Sequence, residues 1–470
     1  MPTLLTRLTW SLFGGSVALL GAHLLGVGMP RAALVHLDGL ALLMATVITF
    51  VSGIVHSFAR RYMAGQRHLN RFYGRLFGLT LVVLTLAAAN HVALFVVLWT
   101  AMGWLLADLI GHLRDWPQAQ AASRYARQTF LVGSALVALA LGTLAWTAGV
   151  WTVSGLLEAV PALSGGVVVA AGVLLLGAAM VQSALVPFHR WLLSSMTAPT
   201  PVSAFMHAGI VNAGGLLLAR FAPVVFSVPT VVTAVVIVGG LSALLGQAWM
   251  LVQTDVKRHL ACSTVAQMGF MVLQVGLGFI PAAIAHLILH GFYKAYFFLA
   301  SGSVVEHTKP ASSSGTASWA HSIVVLLSAG AAGFVFATLT GKSIVAFNSG
   351  TLLTLFVVLA VLHATQSAVR RAGLPAPVRL VAIPVGLLAA VALYGGIYNG
   401  IAVLLADLPM AITPMALTPA HWVLAGAFVF AYVALQRGWH RGSTRLYVKL
   451  LNTSQPLPTT LLTQRDQYHA

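Results

Sequence analysis

His286, His290 and Lys294 recur at four-residue intervals inside one apolar segment, so on an α-helix they form a single stripe along one face. A lysine at mid-membrane depth costs roughly 3 kcal/mol even on a lenient insertion scale, which turns such a stripe away from lipid and toward a bundle interior or water. Histidine titrates near neutral pH and a desolvated lysine does too, so together they can pass protons through intervening water. Two further basic groups stand at irregular points of other apolar segments: His207 follows Pro199 and Pro201, and Lys342 follows Gly341. The bland alternative for a single histidine is a core imidazole bonded to a neighbouring carbonyl. The whole stripe, taken with His207 and Lys342, favours a proton path.

Other ionisable groups carry less. Asp108, one turn before His112, reads either as a proton-uptake group or as an interfacial carboxylate. Asp255 and Lys257, in Asp255-Val-Lys-Arg-His259, read equally as tuning groups for the path or as a solvated turn that fixes topology. Asp38 and His56, at opposite ends of one segment, read as structural partners for neighbouring segments, and Trp99 and Trp104 as packing or interfacial aromatics. With eight acidic residues in all and one cysteine, Cys262, the chain offers no disulfide framework and no Cys-based metal site. It has no phosphate-binding glycine loop and no carboxylate pair suited to catalysis, and its histidines lack acidic companions for a metal. These absences predict a transport subunit with no metal and no cofactor of its own.

The segments that must position these residues define the fold class. The 470 residues are 59% hydrophobic and only 7% charged, with a mean hydropathy of +0.92, whereas soluble domains run near a quarter charged. Apolar runs of about 20 residues, enough to span a bilayer, recur from Leu4 to Gln436. About fourteen of them predict an all-α polytopic membrane protein, with residues 1–436 forming one transmembrane bundle and 437–470 a polar, flexible C-terminal tail. The first run lacks a small-residue cleavage site and reads as a retained span. Two stretches look interrupted: the one around Pro199 and Pro201, and Trp319–Phe347 with Gly330, Gly333 and Gly341. A pair of discontinuous helices, one in each half, is the mark of two inverted repeats with an ion site at the breaks.

A net charge of +17 invites a nucleic-acid reading, but the positions argue against it. Lys and Arg cluster in Arg60–Arg75, Arg114–Arg127, Lys257–Arg258, Arg370–Arg379 and Arg437–Lys449. Alternating spans place all five clusters on one side, which the positive-inside rule makes cytoplasmic together with both termini. The basic excess is topology, and no nucleic-acid partner is expected.

Several strings in order resemble one family, the antiporter-like subunits shared by respiratory complex I and multisubunit cation/proton antiporters. They are Asp38-Gly39 with His56 and Tyr62-Met63, Pro187-Phe-His-Arg-Trp-Leu192 followed by Pro199-Thr-Pro-Val-Ser-Ala-Phe-Met-His207, Asp255-Val-Lys-Arg-His-Leu-Ala-Cys-Ser-Thr264, and His286 to Lys294 running on through Leu299-Ala-Ser-Gly-Ser303. The resemblance covers roughly residues 35–345 and implies a proton-translocating bundle in which His207, His286, His290, Lys294 and Lys342 take the relay roles. Two departures stand out. Where the family has Trp-Glu this chain has Trp99-Thr100, and where it has a lysine before Ser-Ala this chain has Gln182. Gln182 can hydrogen-bond but carries no charge, so the Glu/Lys pair of the first half-channel is absent.

The single leading span and compact C-terminal region, with Arg60-Arg-Tyr-Met63, resemble the DabB-type membrane subunits of bicarbonate-accumulating complexes. That resemblance implies a bacterial inner-membrane protein whose proton or sodium flow energises CO2 hydration. Catalysis and zinc would belong to a cytoplasmic DabA-like, carbonic-anhydrase-like partner. The alternatives are a pumping subunit of a complex I-like oxidoreductase or Mrp-type antiporter, and a membrane scaffold whose transport has decayed.

Overall fold

A computed structural model describes residues 1–301, 319–344, 346–369, 375–439 and 442–461. The chain runs back and forth through α1 (Pro2–Leu24), α2 (Gly39–Tyr62), α3 (Leu69–Ala88), α4 (Val92–Ile110) and α5 (Pro117–Ala148) before a short helix, α6 (Val153–Ala159). α7 (Gly165–Gln182) leads into an irregular stretch holding α8 (Arg190–Ser194). The next crossing is made of two pieces, α9 (Thr200–Ala208) and α10 (Ala213–Arg220), followed by α11 (Ala222–Phe226). Then come α12 (Pro229–Met250), α13 (Val256–Gly276), α14 (Ile280–Leu299), α15 (Trp319–Leu339), α16 (Ser349–Val369), α17 (Ile383–Leu404), α18 (Pro419–Gln436) and α19 (Thr444–Thr453).

Thirteen spans among the described residues, with α9 and α10 counted as one, are long and apolar enough to cross a membrane. α13 falls outside that group because His259, Gln267 and Gln274 dilute its apolar residues. It nevertheless lies antiparallel along the whole of α12, with Gly246 against Ala266, Gly239 against Gly269 and Leu273, and Gly276 against Val236. Adding α13 to the thirteen gives fourteen crossings, as the apolar runs predict. The architecture is all-α, with only isolated β-bridges among the described residues.

Those bridges gather one end of the bundle: Val35 pairs with Ala89, His91 with Thr152, Phe279 with Ile412 and Asn348 with Ala416. At the other end Arg75 and Arg127 meet Asp108, joining α3, α4 and α5. This second end carries the basic clusters and is called the basic end below. Residues 370–374 of one cluster lie outside the described residues, as do the predicted continuation of the α14 segment from 302 on and residues 462–470.

Local chemistry accounts for the helix starts. Asp38 caps α2 by accepting from the Ala41 amide at 2.8 Å, and Asp255 caps α13 through the Arg258 amide at 2.7 Å. Proline opens α5, α12, α14 and α18, where a missing N–H costs nothing.

Three expectations are corrected. Pro199 and Pro201 do not break a helix: Pro199 is the N-cap of α9 and Pro201 sits in its first turn, where proline is tolerated. The interruption lies further on, at Gly209 and the 3-10 turn Ile210–Asn212. The described residues of Trp319–Phe347 hold no mid-membrane break either. α15 is continuous through Gly330 and Gly333, since an isolated glycine costs a helix only about 1 kcal/mol. Gly341, at φ +66°, belongs to the turn after α15, where its left-handed backbone reverses the chain, and Lys342 stands in that turn. An inverted repeat inferred from a pair of breaks therefore rests on the first alone. Finally, the tail is not loose over its described residues 442–461. α19 packs beside α12, the Trp249 indole donates to the Thr453 hydroxyl at 2.9 Å, Gln253 donates to Ser454 at 2.8 Å, and Ser194 accepts from the Leu457 amide at 3.0 Å.

Candidate proton path

Lys294 is fully buried, and its Nζ donates to the Leu260 carbonyl of α13 at 2.7 Å. The Thr264 hydroxyl donates to the same carbonyl at 3.0 Å and lies 2.9 Å from Nδ1 of the buried His207. With its proton committed to Leu260, the Thr264 oxygen accepts from His207, which places the imidazole proton on Nδ1. Nε2 is then a bare acceptor, and it is buried without a hydrogen-bond partner. Lys294 and His207 are thus separated by one carbonyl and one hydroxyl, and charge on either one opposes charge on the other. The His207 ring lies flat on Phe298, with centroids 4.3 Å apart. Gly291 makes this approach of α14 to α9 feasible, since a Cβ there would come within 2.6 Å of the Ala208 carbonyl.

Toward the opposite end the stripe continues as the periodicity predicts. His290 is buried with neither ring nitrogen bonded, and the His286 ring lies 6.0 Å from it, nearly parallel at 18°. No hydrogen bond joins the two rings. Phe279 immediately precedes α14, and its ring lies 4.5 Å from the Lys342 Nζ. Tyr398 at 3.9 Å and Phe336 at 5.4 Å complete an aromatic enclosure around an ammonium that has no hydrogen-bond acceptor. Cation–π attraction of about 0.5–2 kcal/mol per ring replaces the missing carboxylate. The order along the membrane is Lys342, His286, His290, Lys294, His207.

The first half is built differently. At the interruption, the Ile210 and Val211 carbonyls accept from the Gln182 amide at 3.3 Å and the Ser183 hydroxyl at 2.8 Å. The Asn212 amide caps the Ala208 carbonyl at 2.8 Å. Gln182 and Ser183 therefore each serve a backbone carbonyl that the 3-10 turn frees, a need that any buried discontinuity creates. The Thr100 hydroxyl donates to Val96 within its own helix at 2.8 Å. Asp108 is held by Arg75 and Arg127, each at 2.5 Å, which makes it a tie between helices at the basic end. Asp255 acts as the α13 cap and Lys257 lies in the turn beside it, both apart from the buried groups. Asp38 and Arg220 form a largely buried ion pair, with Arg220 also donating to the Ala87 carbonyl at 3.0 Å. Burial raises the Asp38 carboxyl, but the Arg220 charge and its hydrogen bonds outweigh this and hold the pKa below its ordinary value.

Sequence reasoning missed Thr264, Gly209 and Asn212. Thr264 carried a signal only as the residue one turn beyond Leu260, and its role appears once α13 is laid across α9.

The model for the family described as NADH:quinone oxidoreductase/Mrp antiporter, transmembrane, matches residues 89–362, and that for the complex I chain 5 N-terminus matches residues 33–73. The probable inorganic carbon transporter subunit DabB1 of Halothiobacillus neapolitanus is 37% identical over 58% of this chain and 50% of its own length. NADH-quinone oxidoreductase subunit L of Escherichia coli is 40% identical over 57% of this chain and 44% of its own. The chain thus spans about half the length of the curated relatives it matches. Among solved structures, the Mrp complex from Dietzia sp. DQ12-45-1b superposes with a TM-score of 0.59 at 23% identity, covering 96% of this chain and 50% of that one. An archaeal membrane-bound sulfane sulfur reductase gives 0.61 at 16% identity, covering 97% and 92%. Both likenesses concern the fold.

Proposed function

The chain belongs to the NADH:quinone oxidoreductase/Mrp antiporter transmembrane family, and from that premise we propose that it conducts protons as the membrane subunit of an inorganic-carbon accumulating complex. The flow would energise CO2 hydration on a soluble, zinc-bearing, DabA-like partner at the basic end, which the positive-inside rule makes the cytoplasmic face of a bacterial inner membrane. The observation that carries the reading is the split between the halves. The second half keeps its basic groups, with His207, His290 and Lys294 buried and the Lys342 Nζ and His286 Nε2 shut off from solvent, while Gln182 serves the Ile210 carbonyl where a charge relay would need a lysine. A pump driven uphill needs charge pairs that switch in both halves, whereas downhill conduction needs only a continuous path. The resemblance to relatives named as inorganic carbon transporter subunits points the same way.

A second reading, a pumping subunit of a quinone-reducing or antiporter complex, is favoured by identities of 38–40% to subunits L of NADH-quinone oxidoreductase. The test is growth in air-level CO2 of a strain that depends on this chain and its partner. Lys294→Ala and His207→Ala are expected to abolish that growth while the partner still co-purifies. Normal growth of both variants, or co-purification with quinone-reducing subunits in place of a zinc protein, would contradict the proposal.

A further inference from the structure

The last span, α18, ends at Gln436 on the basic end, and the chain stays at that level afterwards. Trp439 turns back onto Phe430, an exposed ring of α18, with centroids 5.9 Å apart. At the far end of α19 the Thr453 hydroxyl accepts from the indole of Trp249, in the last turn of α12, at 2.9 Å. α19 has 10 residues, about 15 Å of helix, and the chain on either side of it is tied to the end of a span. It therefore lies along the membrane surface. Its sequence fits that depth. At about 100° per residue, Leu446, Tyr447, Leu450 and Leu451 fall on one side, and Arg445, Lys449 and Asn452 on the other. Leu450 is buried against the bundle, whereas Leu446, Tyr447 and Val448 are exposed. Thr444, Arg445, Lys449 and Asn452 line one hollow on the polar side. No carboxylate among the described residues pairs with Arg445 or Lys449, and the chain has no acidic residue between Asp407 and Asp466.

We infer that α19 is an interfacial helix that binds an anionic phospholipid of the leaflet at the basic end, with Arg445, Lys449 and Asn452 on the headgroup. The inference is independent of the conduction role proposed above. Two cations one turn apart, beside a side-chain amide, offer donors to the oxygens of one phosphate. A zwitterionic headgroup carries its own cation against that phosphate, so the uncompensated charge of the helix selects a lipid with net negative charge. One basic side chain near an anionic leaflet is worth about fivefold in occupancy. The exposed apolar side chains decide between lipid and protein as the occupant. A soluble partner above the membrane would meet the polar arc and leave Leu446 and Tyr447 in water, whereas acyl chains cover them as the headgroup is bound. The site has a structural consequence. α19 leads directly into Ser454 and Leu457, which close on Gln253 and Ser194, so a bound lipid holds down the cover over the stretch between α7 and α9.

The lone native cysteine, Cys262, is fully buried and gives a silent background for thiol labelling. A bimane fluorophore on Tyr447→Cys, in the complex as purified and placed in nanodiscs, reports on the lipid beside α19. Nitroxide-labelled phosphatidylglycerol is expected to quench it several-fold more strongly than nitroxide-labelled phosphatidylcholine at the same mole fraction. Arg445→Gln/Lys449→Gln, at exposed positions, should abolish that preference while quenching by phosphatidylcholine persists. Arg445→Lys/Lys449→Arg keeps both charges and should retain the preference. Equal quenching by the two lipids in the Tyr447→Cys protein, or a preference that survives Arg445→Gln/Lys449→Gln, would overturn the headgroup site. Absence of quenching by either lipid would place α19 against protein or water and overturn it as well, and loss of the preference in Arg445→Lys/Lys449→Arg would contradict its basis in charge.

Discussion

At the scale of single residues, the claim is that Lys294 and His207 work as a coupled pair through the Leu260 carbonyl and the Thr264 hydroxyl. Thr264 is the sharpest probe of it. Thr264→Val keeps the shape and removes the hydroxyl, leaving a buried imidazole nitrogen without its acceptor at a cost of about 1–3 kcal/mol. Proton flux through the complex should fall at least severalfold in Thr264→Val and return in Thr264→Ser; equal flux in all three proteins would dissolve the coupling. The stripe itself was legible in the sequence because a four-residue period within an apolar run fixes both helix and face. Thr264 was not, because its meaning depends on which helix α13 crosses, and no local pattern encodes that. Lys342 was legible as a lysine in an apolar stretch but not in its surroundings. Three rings from separate segments enclose it, and only tertiary packing brings them together.

At the scale of elements, the interruption between α9 and α10 is held by polar groups from α7, and the opposite end of the bundle is pinned by the Asp38–Arg220 pair between α2 and α10. Removing one partner of a buried pair strands the other charge, at about 3–5 kcal/mol. Asp38→Asn should accordingly lower the thermal stability of the detergent-solubilised complex more than the double substitution Asp38→Asn/Arg220→Met does; a single variant as stable as wild type would remove the pair from the account. The pH dependence follows from the depressed folded-state pKa of Asp38. Its stabilisation is complete above the unfolded value of about 3.9 and is lost as pH falls through the lower, folded value. Element existence was readable from apolar length alone, which is why fourteen crossings were expected and found. The breaks were not. Proline in a first turn and proline in a helix interior look the same in a string of letters, and Gly330 and Gly333 are absorbed by an otherwise apolar helix.

At the scale of the whole molecule, fourteen crossings return both described termini to the basic end, where α19 seals the stretch between α7 and α9. The asymmetry of the two halves is the main result at this scale. One half has turned its polar side chains to backbone repair, while the other keeps a line of basic groups on and beside α14. The central claim is that this second half conducts protons, and the most direct measurement is proton flux in proteoliposomes holding the purified complex under an imposed pH gradient. Wild type should dissipate the gradient, with Lys294→Met, which keeps the side chain's bulk, reduced to the leak of empty liposomes. Flux through Lys294→Met equal to that of wild type, or no flux through wild type above that leak, would contradict the account.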